Sequence, residues 1–299
     1  MVGSSIIRNL KRNKFVNIST VSKSKLNLLN QKDTLKFLKK KKFDIVIIAA
    51  AKVGGINANN KFRADFLYEN TQIQNNLIYG SFLTKVKKLI FLGSSCIYPR
   101  NSKQPIKENM LLTGSLEQTN EPYAIAKISG VKLCESLNQQ YGTNFISLMP
   151  CNLYGPNDNY DLNNSHFLPA LIRKAYEAKI KKKKSIILWG NGKPKRELMH
   201  VDDLAEACVF FLKKKIKESL INIGSGEELK ISEYAKKVCD LVGFKGSILF
   251  DEKMPSGTHR KILDCSIAKS YGWSSKIKFQ DGLESAYFDF IKNYKEINK

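Results

Sequence analysis

Histidine is scarce in this chain of 299 residues, and its six cysteines form no C-x-x-C pair. With three histidines and widely separated cysteines, a structural zinc site is not expected. No apolar run approaches the roughly 20 residues of a membrane-spanning helix, and no cleavable apolar core follows the basic segment 8–14. Neither a membrane protein nor a secreted one is therefore indicated. Scattered cysteines are typical of the reducing cytoplasm.

Arginine is also scarce, although the chain is strongly basic. Lysine and arginine number 50 against 27 acidic residues, giving a formal charge of +23, but only seven of the 50 are arginine. Nucleic-acid-binding proteins usually rely on arginine for bidentate and stacking contacts. The lysines are spread along the whole chain, which favours solvated surfaces or attraction to phosphate-bearing ligands. A nucleic-acid-binding protein is therefore the weakest of the alternatives.

Apolar strand-like runs alternate with helix-like stretches, a pattern typical of an α/β fold with a parallel sheet. At 42% apolar residues, the chain can bury a sizeable core. The predicted strands are 43–51, 88–93, 144–149 and 220–223, and the predicted helices are 64–87, 122–141, 231–242 and 281–294, with another after 200–203.

Small or polar residues follow three of the predicted strands. These segments are Ala49–Gly55, Gly93–Tyr98 and Pro150–Pro156. Open α/β sheets bind ligands beyond the carboxyl ends of their strands. We therefore expect the three segments to form one binding site.

Tyr123 and Lys127 are four residues apart on a predicted helix, and so share one face. A nearby ammonium stabilises a phenolate and lowers its pKa, which would let the tyrosine exchange a proton with a carbonyl. With 12 tyrosines and 43 lysines, chance alone produces about two such pairs, so the spacing by itself indicates little. A catalytic role for the pair is favoured because its helix comes after a strand that ends at Ser94.

Six blocks along the chain carry a wider pattern. They are Ala49–Gly55, Phe91–Pro99, Asn120–Lys127, Pro150–Pro156, Asn164–His166 and Arg196–Asp203. With them the chain resembles the extended short-chain dehydrogenase/reductase family, and within it the enzymes that act on GDP-4-keto-6-deoxy-D-mannose. The pairing of Ser94-Ser95-Cys96 with the distant Asn164-Ser165-His166 is the most specific part of this resemblance.

The resemblance implies a Rossmann-type, doubly wound parallel sheet with a smaller C-terminal α/β substrate domain. The NADP-binding domain would comprise 1–153 and 200–226, and the substrate domain 154–199 and 227–299. A homodimer through the helices at 64–87 and 122–141 is also implied.

The implied reaction is epimerisation of GDP-4-keto-6-deoxy-D-mannose at C3 and C5, followed by NADPH reduction of the C4 ketone to GDP-L-fucose. Cys96 would be the base and His166 the acid, since the ordinary pKa values of a thiol and an imidazole are near neutral. Tyr123 would protonate the C4 oxygen, with Ser94 hydrogen bonded to it. Lys127 would hold the cofactor ribose and lower the pKa of Tyr123.

The resemblance also implies binding residues. The NADP-binding residues would be Gly3, Lys23, Ala49, Ala50, Leu92, Gly93, Ser94, Ser95, Tyr123, Lys127, Pro150, Cys151, Asn152, Leu153 and His166. Lys174, Trp189, Arg196 and Arg260 would bind the nucleotide sugar, with Arg260-Lys261 as a second basic cluster. Lys23 lies where an acidic residue would indicate NAD, so NADP is favoured. Ser256 is a departure, since related proteins often carry Asp there.

The chain begins Met1-Val2-Gly3, whereas the family begins with a strand and a Gly-x-x-Gly-x-x-Gly turn that binds the pyrophosphate. Of that turn only Gly3 is present. We therefore expect the true start to lie upstream of Met1, and the chain as written to have reduced stability or activity.

Two further alternatives stay open besides the nucleic-acid-binding protein. One is another NAD(P)-dependent nucleotide-sugar epimerase or dehydratase, although a dehydratase typically carries an acidic pair where Ser95 and Cys96 stand. The other is an inactive sugar-nucleotide-binding protein that lacks a cofactor.

Overall fold

The chain forms ten strands and ten α-helices within residues 1–162, 164–254 and 258–297, which the computed structural model describes. The strands are β1 Ile45–Ile48, β2 Lys88–Leu92, β3 Phe145–Pro150, β4 Asn152–Tyr154, β5 Ser185–Trp189, β6 Lys195–His200, β7 Leu220–Ile223, β8 Glu228–Lys230, β9 Ser247–Asp251 and β10 Arg260–Lys261. The helices are α1 Val2–Arg12, α2 Gln31–Lys41, α3 Ile56–Lys61, α4 Arg63–Leu83, α5 Glu121–Tyr141, α6 Phe167–Ile180, α7 Val201–Lys213, α8 Ile231–Val242, α9 Ser266–Ser270 and α10 Phe279–Ile297.

The central sheet contains four parallel strands in the order β1, β2, β3, β7. β2 and β3 are buried along their whole length, which explains their continuous apolar sequences. Helices α4 and α5 pack against each other beside this sheet, and so do α1 and α7. The predicted α/β fold with a parallel sheet and flanking helices is confirmed.

Proline and glycine define the helix ends that the sequence predicts best. Pro122 lies in the first turn of α5, and Gly142 ends that helix with a φ of 65°. Helix α8 and strand β7 have the predicted bounds. Helix α4 ends at Leu83 rather than Lys87, because Lys85 has a φ of 59°. β1 ends at Ile48, before the alanines that the prediction included.

Two smaller sheets lie beyond the central one. In the first, β6 pairs in parallel with β4 and β10 and antiparallel with β8. In the second, β5 pairs in parallel with β9. Helices α6, α8 and α10 contribute to a second hydrophobic cluster with these strands, which includes Leu171, Tyr234 and Phe290.

The two hydrophobic clusters resemble the two predicted domains, with one difference. The first cluster contains residues of β2, β3, α5 and α7, and the second contains residues of 154–198, 234–250 and 283–290. Leu263, Cys265, Ala268 and Trp273 belong to the first cluster, although the predicted boundaries place them in the substrate domain. The chain therefore returns to the first cluster after β9.

A groove of about 1,070 Å³ lies beside β1, which is the edge strand of the central sheet. Helix α1, the segment 15–21 and the end of α2 form its other walls. It reaches Ala49 and Ala50, directly after β1. Within the described ranges, no helix is both long enough and apolar enough to cross a membrane.

Candidate active site

The carboxyl ends of β1, β2 and β3 lie side by side, because these strands are parallel neighbours. The segments after them are the three that the sequence singles out. The predicted convergence at one edge of the sheet is confirmed. Ser94, Cys96 and Cys151 all lie at this edge.

Ser94 and Cys96 belong to the tight turn that follows β2. Residues 95–97 form a short 3-10 helix, and the Ser94 hydroxyl accepts a hydrogen bond of 3.4 Å from the backbone N–H of Cys96. The Cys96 side chain is buried, and this burial raises the pKa of its thiol. The charge of Lys261 opposes that rise most strongly, followed by a hydrogen bond from Ser94. The thiol is therefore mainly protonated at neutral pH.

Tyr123 and Lys127 lie one turn apart on α5 and face the same turn. Lys127 Nζ donates a hydrogen bond of 2.8 Å to the carbonyl of Leu92 and lies 5.8 Å from the centre of the Tyr123 ring. Desolvation lowers the pKa of Lys127 to about 8. Desolvation also raises the pKa of Tyr123, and the charge of Cys96 adds to that rise. The lowering of the Tyr123 pKa that we predict from Lys127 is not found, because burial raises this pKa and Lys127 does not shift it.

The Tyr123 ring is fixed from the opposite side by α4. Phe66 packs edge-on against it, with 6.1 Å between ring centres. The phenol therefore lies against α4, and Cys96 is the neighbour whose charge adds to the rise of its pKa.

His166 lies directly before the first turn of α6. The preceding loop is tied to the segment after β1, because the Gly55 N–H donates a 3.0 Å hydrogen bond to the Asn164 carbonyl. A side chain at Gly55 would come within 2.4 Å of the Ser165 carbonyl oxygen, so glycine is required for this contact. The His166 ring is exposed, and desolvation by the surrounding protein still lowers its pKa.

Two buried side-chain oxygens beside these residues have no hydrogen-bond partner: Asn120 Oδ1, just before α5, and Ser165 Oγ, just before His166. Buried polar atoms are normally satisfied, so each of these two oxygens is free to accept a hydrogen bond from a ligand. The structure therefore offers polar contacts near both predicted proton-transfer groups.

A dinucleotide fits the space next to this edge. Gly3 lies in the first turn of α1 with open space around its Cα, and the first N–H groups of a helix favour phosphate. The small residues Ala49 and Ala50 line the same groove. Lys23 is exposed in a turn, where it is accessible to a further phosphate. These residues would hold the adenosine and pyrophosphate parts.

The other predicted cofactor residues continue along the strand ends. Gly93 and Ser95 are buried after β2, Pro150 and Cys151 are buried at the end of β3, and Asn152 and Leu153 begin β4 with more exposure. These residues would border the nicotinamide end. Among the described residues, no group of three or more His, Cys, Asp or Glu side chains is arranged to hold a metal ion.

The predicted substrate residues lie on α6, β5, β6 and β10. Trp189 is 44% exposed on β5, which excludes a core role, and burial lowers the pKa of Arg196 on β6. Lys174 of α6 donates a 3.3 Å hydrogen bond to the Ile187 carbonyl. The guanidinium of Arg260 is paired with Glu228 at 2.7–2.9 Å, and its role in substrate binding stays a prediction. Ser256 lies outside the described residues.

Lys261 is the residue whose importance the sequence understates. It is predicted only as part of the basic cluster with Arg260, yet in the structure its charge affects Cys96. The sequence signal that could have separated Lys261 from Arg260 is the alternation of side chains along a strand, since neighbouring residues of a strand point to opposite faces. A two-residue strand is too short for that signal to be read.

Residues 1–224 match the model of the NAD dependent epimerase/dehydratase family. The GDP-L-fucose synthase of Sinorhizobium fredii is 52% identical over 293 residues, which cover 98% of this chain and 93% of that protein. The GDP-L-fucose synthase of Escherichia coli is 45% identical over 302 residues, covering 98% and 94%. The solved structure of MlghC, a GDP-mannoheptose C4 reductase from Campylobacter jejuni with NADP bound, has a TM-score of 0.88 at 39% identity, covering 97% of this chain and 95% of that one.

Proposed function

Because the chain belongs to the NAD dependent epimerase/dehydratase family, we propose that it converts GDP-4-keto-6-deoxy-D-mannose to GDP-L-fucose with NADPH. Two of its relatives are named for that product. The observation that carries the proposal is the buried thiol of Cys96 beside Ser94, Tyr123 and Lys127. An acidic pair in place of Ser95 and Cys96 would instead favour a dehydratase.

Epimerisation uses the two groups that flank the sugar. The thiolate of Cys96 removes the proton from C3 or C5, and the electron pair left on carbon delocalises onto the C4 oxygen. The imidazolium of His166 returns a proton to the opposite face of that carbon. Cys96 is then a thiol and His166 a neutral imidazole, and exchange with solvent restores both.

Reduction occurs at C4, where bound NADPH supplies a hydride. Tyr123 donates its phenolic proton to the C4 oxygen, and the Ser94 hydroxyl holds that oxygen by a hydrogen bond. During epimerisation the same two groups stabilise the enolate oxygen. Lys127 would contact the cofactor ribose and, once a phenolate forms, would stabilise it.

The nucleotide end of the substrate lies on the second cluster. The Arg196 guanidinium binds the pyrophosphate in a bidentate manner, Lys174 adds a second cation, and the exposed Trp189 ring offers a stacking surface for the base. Lys23 contacts the 2′-phosphate and sets the preference for NADPH. The NADP-binding part is 1–153 with 200–226, joined by the returning residues 263–273, and the rest is the substrate part.

We also propose a homodimer that works in the cytoplasm. Large apolar side chains are exposed on α4 and α5, namely Tyr68, Tyr79, Leu83, Ile125 and Tyr141. Packing these two helices against their copies would cover them. The cytoplasmic location is supported by the six buried cysteines, none of which forms a disulfide.

Deuterium exchange separates the two chemical steps. Without NADPH, the protein is incubated with substrate in deuterated buffer, and the recovered substrate is analysed by mass spectrometry. We expect deuterium at C3 and C5 with the parent chain, about 100-fold slower uptake with Cys96→Ser, and continued uptake with Tyr123→Phe. Cys239→Ser, in the second cluster, is the matched control for loss of a buried thiol.

Reduction is then followed by NADPH oxidation. Tyr123→Phe should lower kcat by about 10²–10⁴-fold while NADPH still binds, as measured by its fluorescence.

Unchanged deuterium uptake by Cys96→Ser would remove Cys96 from the mechanism. Absence of NADPH fluorescence enhancement with the parent chain would favour the alternative of an inactive sugar-nucleotide-binding protein.

A further inference from the structure

Lys261 lies on β10. In the sequence this strand comes after β9 of the second cluster, yet it brings Lys261 to the active site. β10 pairs in parallel with β6, and Lys261 is opposite Arg196 in the register. The preceding residue, Arg260, has its guanidinium on Glu228. Because neighbouring strand residues point to opposite faces, Lys261 points away from that ion pair. It lines a small crevice with Ser95 and Cys151, next to the turn that carries Cys96.

The Lys261 ammonium is a desolvated cation that the mechanism above does not use. Among the described residues it makes no ion pair and no hydrogen bond. Desolvation lowers its pKa, and Cys96 is the first of the charged neighbours that affect it, followed by Arg196, Cys151 and Glu117. An ammonium without a carboxylate partner interacts most favourably with an anion that forms beside it.

The other cation near Cys96 is already engaged. Lys127 donates its hydrogen bond to the Leu92 carbonyl, and its effect on Cys96 comes after those of Lys261 and Ser94. Tyr123 also faces the thiol, and burial keeps it a neutral phenol. Lys261 is therefore the group best placed to stabilise a charge on Cys96 Sγ.

We propose that Lys261 is a positioning residue for epimerisation, whose ammonium stabilises the thiolate of Cys96. This inference rests on the function proposed above. No bond is made or broken by Lys261; it keeps its proton while Cys96 releases one to solvent and later takes one from C3 or C5. The thiolate thus exists in the buried turn because a cation is supplied from another part of the chain.

The backbone around β10 fixes this arrangement. Leu263 N–H donates a 2.9 Å hydrogen bond to the buried carboxylate of Glu197. Ile106 N–H donates a 2.8 Å hydrogen bond to the Ile262 carbonyl, and Asp264 N–H donates one of 2.8 Å to the Ile106 carbonyl. Residues 260–264 are thereby held against β6 and the loop at 106. The position of Lys261 is consequently set by tertiary contacts that do not involve substrate.

Alkylation of Cys96 as a function of pH tests the inference without substrate. The parent chain, Lys261→Met and Lys261→Arg are exposed briefly to iodoacetamide between pH 6 and 10, and modification of the Cys96 peptide is measured by mass spectrometry. Only the thiolate reacts, so the rate reports its population. We expect Lys261→Met to slow Cys96 alkylation about tenfold at pH 8 and to move the profile to higher pH. Lys261→Arg should restore both.

Lys195→Met is the matched control, because Lys195 lies on the adjacent strand but contacts Glu228. It should leave the profile unchanged, and NADPH binding verifies the fold of each variant. If Lys261→Met is poorly folded, the comparison of Lys261→Gln with Lys261→Arg replaces it. Superimposable profiles with and without the ammonium would overturn the inference. If the alkylation profile of Lys261→Met is shifted but the parent chain does not convert the GDP-sugar, the proposed function is contradicted and the inference about Lys261 is not.

Discussion

Replacing Lys127 with methionine should stabilise the fold at neutral pH while removing catalysis. The Lys127 side chain is only 3% exposed, and desolvation lowers its pKa from 10.5 to about 8. A shift of that size corresponds to about 3 kcal/mol of unfavourable free energy for holding the charge in the native state. Methionine has a similar volume and no charge, so this cost disappears.

The gain is partly offset by the loss of one hydrogen bond. Lys127 Nζ donates to the Leu92 carbonyl, and removing that donor costs about 1–2 kcal/mol. The net stabilisation at pH 7 is therefore about 1–2 kcal/mol. Such a gain at a residue proposed to bind cofactor is an instance of function maintained at the expense of stability.

The pH dependence provides the sharper test. Below pH 8 both folded and unfolded states carry the Lys127 proton, so the cost is fully present. Between pH 8 and 10.5 the unfolded state holds the proton and the native state does not, so the stability of the parent chain rises with pH. The advantage of Lys127→Met should shrink across this window and reverse near its upper end.

Urea unfolding at pH 7 and pH 10 measures this difference. Contributions of the other titrating groups are shared by the parent and the variant and largely cancel in the comparison. Lys132→Met is the control on the same helix, since Lys132 is exposed and forms a surface ion pair with Glu135, and it should change stability by less than about 0.5 kcal/mol. A Lys127→Met chain that is less stable at pH 7, or a difference independent of pH, would refute the reasoning.

Three further predictions follow from the site. Lys23→Ala should lower NADPH affinity about tenfold with little effect on NADH, and the preference should weaken as salt rises; equal affinities of the parent chain at low salt would contradict this. Gly55→Ala should slow deuterium exchange by displacing the loop before His166, because its Cβ would lie 2.4 Å from the Ser165 carbonyl, while NADPH binding stays intact. Deuterium exchange should have a broad plateau through neutral pH, falling in acid as the Cys96 thiolate is lost and in alkali as the His166 imidazolium is lost, because desolvation raises the pKa of the thiol and lowers that of the imidazole. A narrow optimum would argue against this pair.

The sequence is most informative where structure depends on short-range signals. Pro122 and Gly142 define α5 through local backbone geometry, and the continuous apolar run of β2 identifies a buried strand. Since parallel strands end at a common edge, these elements also predict that Ser94 and Tyr123 lie close together. The core of the candidate site can thus be predicted before its contacts are known.

The sequence does not predict which residues far apart in the chain come into contact. Arg260 and Lys261 are adjacent basic residues, but one forms an ion pair with Glu228 and the other lies beside Cys96. That division depends on the register of a two-residue strand against β6, which no local pattern encodes. The return of Trp273 to the first cluster is likewise not predictable from the sequence, because it depends on residues far away in the chain, such as Glu206, 67 residues earlier, which accepts a hydrogen bond from Trp273 Nε1.

The return of residues 263–273 to the first cluster has a consequence for synthesis on the ribosome. Chains are made in one direction, and an N-terminal domain that is contiguous can fold while the rest is being translated. Here the first cluster lacks Leu263 and Trp273 until residue 273 has left the exit tunnel. By then the strands and helices of 154–250 are already available to the second cluster. The two clusters are therefore expected to complete their folding together, late in translation, and a nascent chain stopped before residue 263 should stay sensitive to protease.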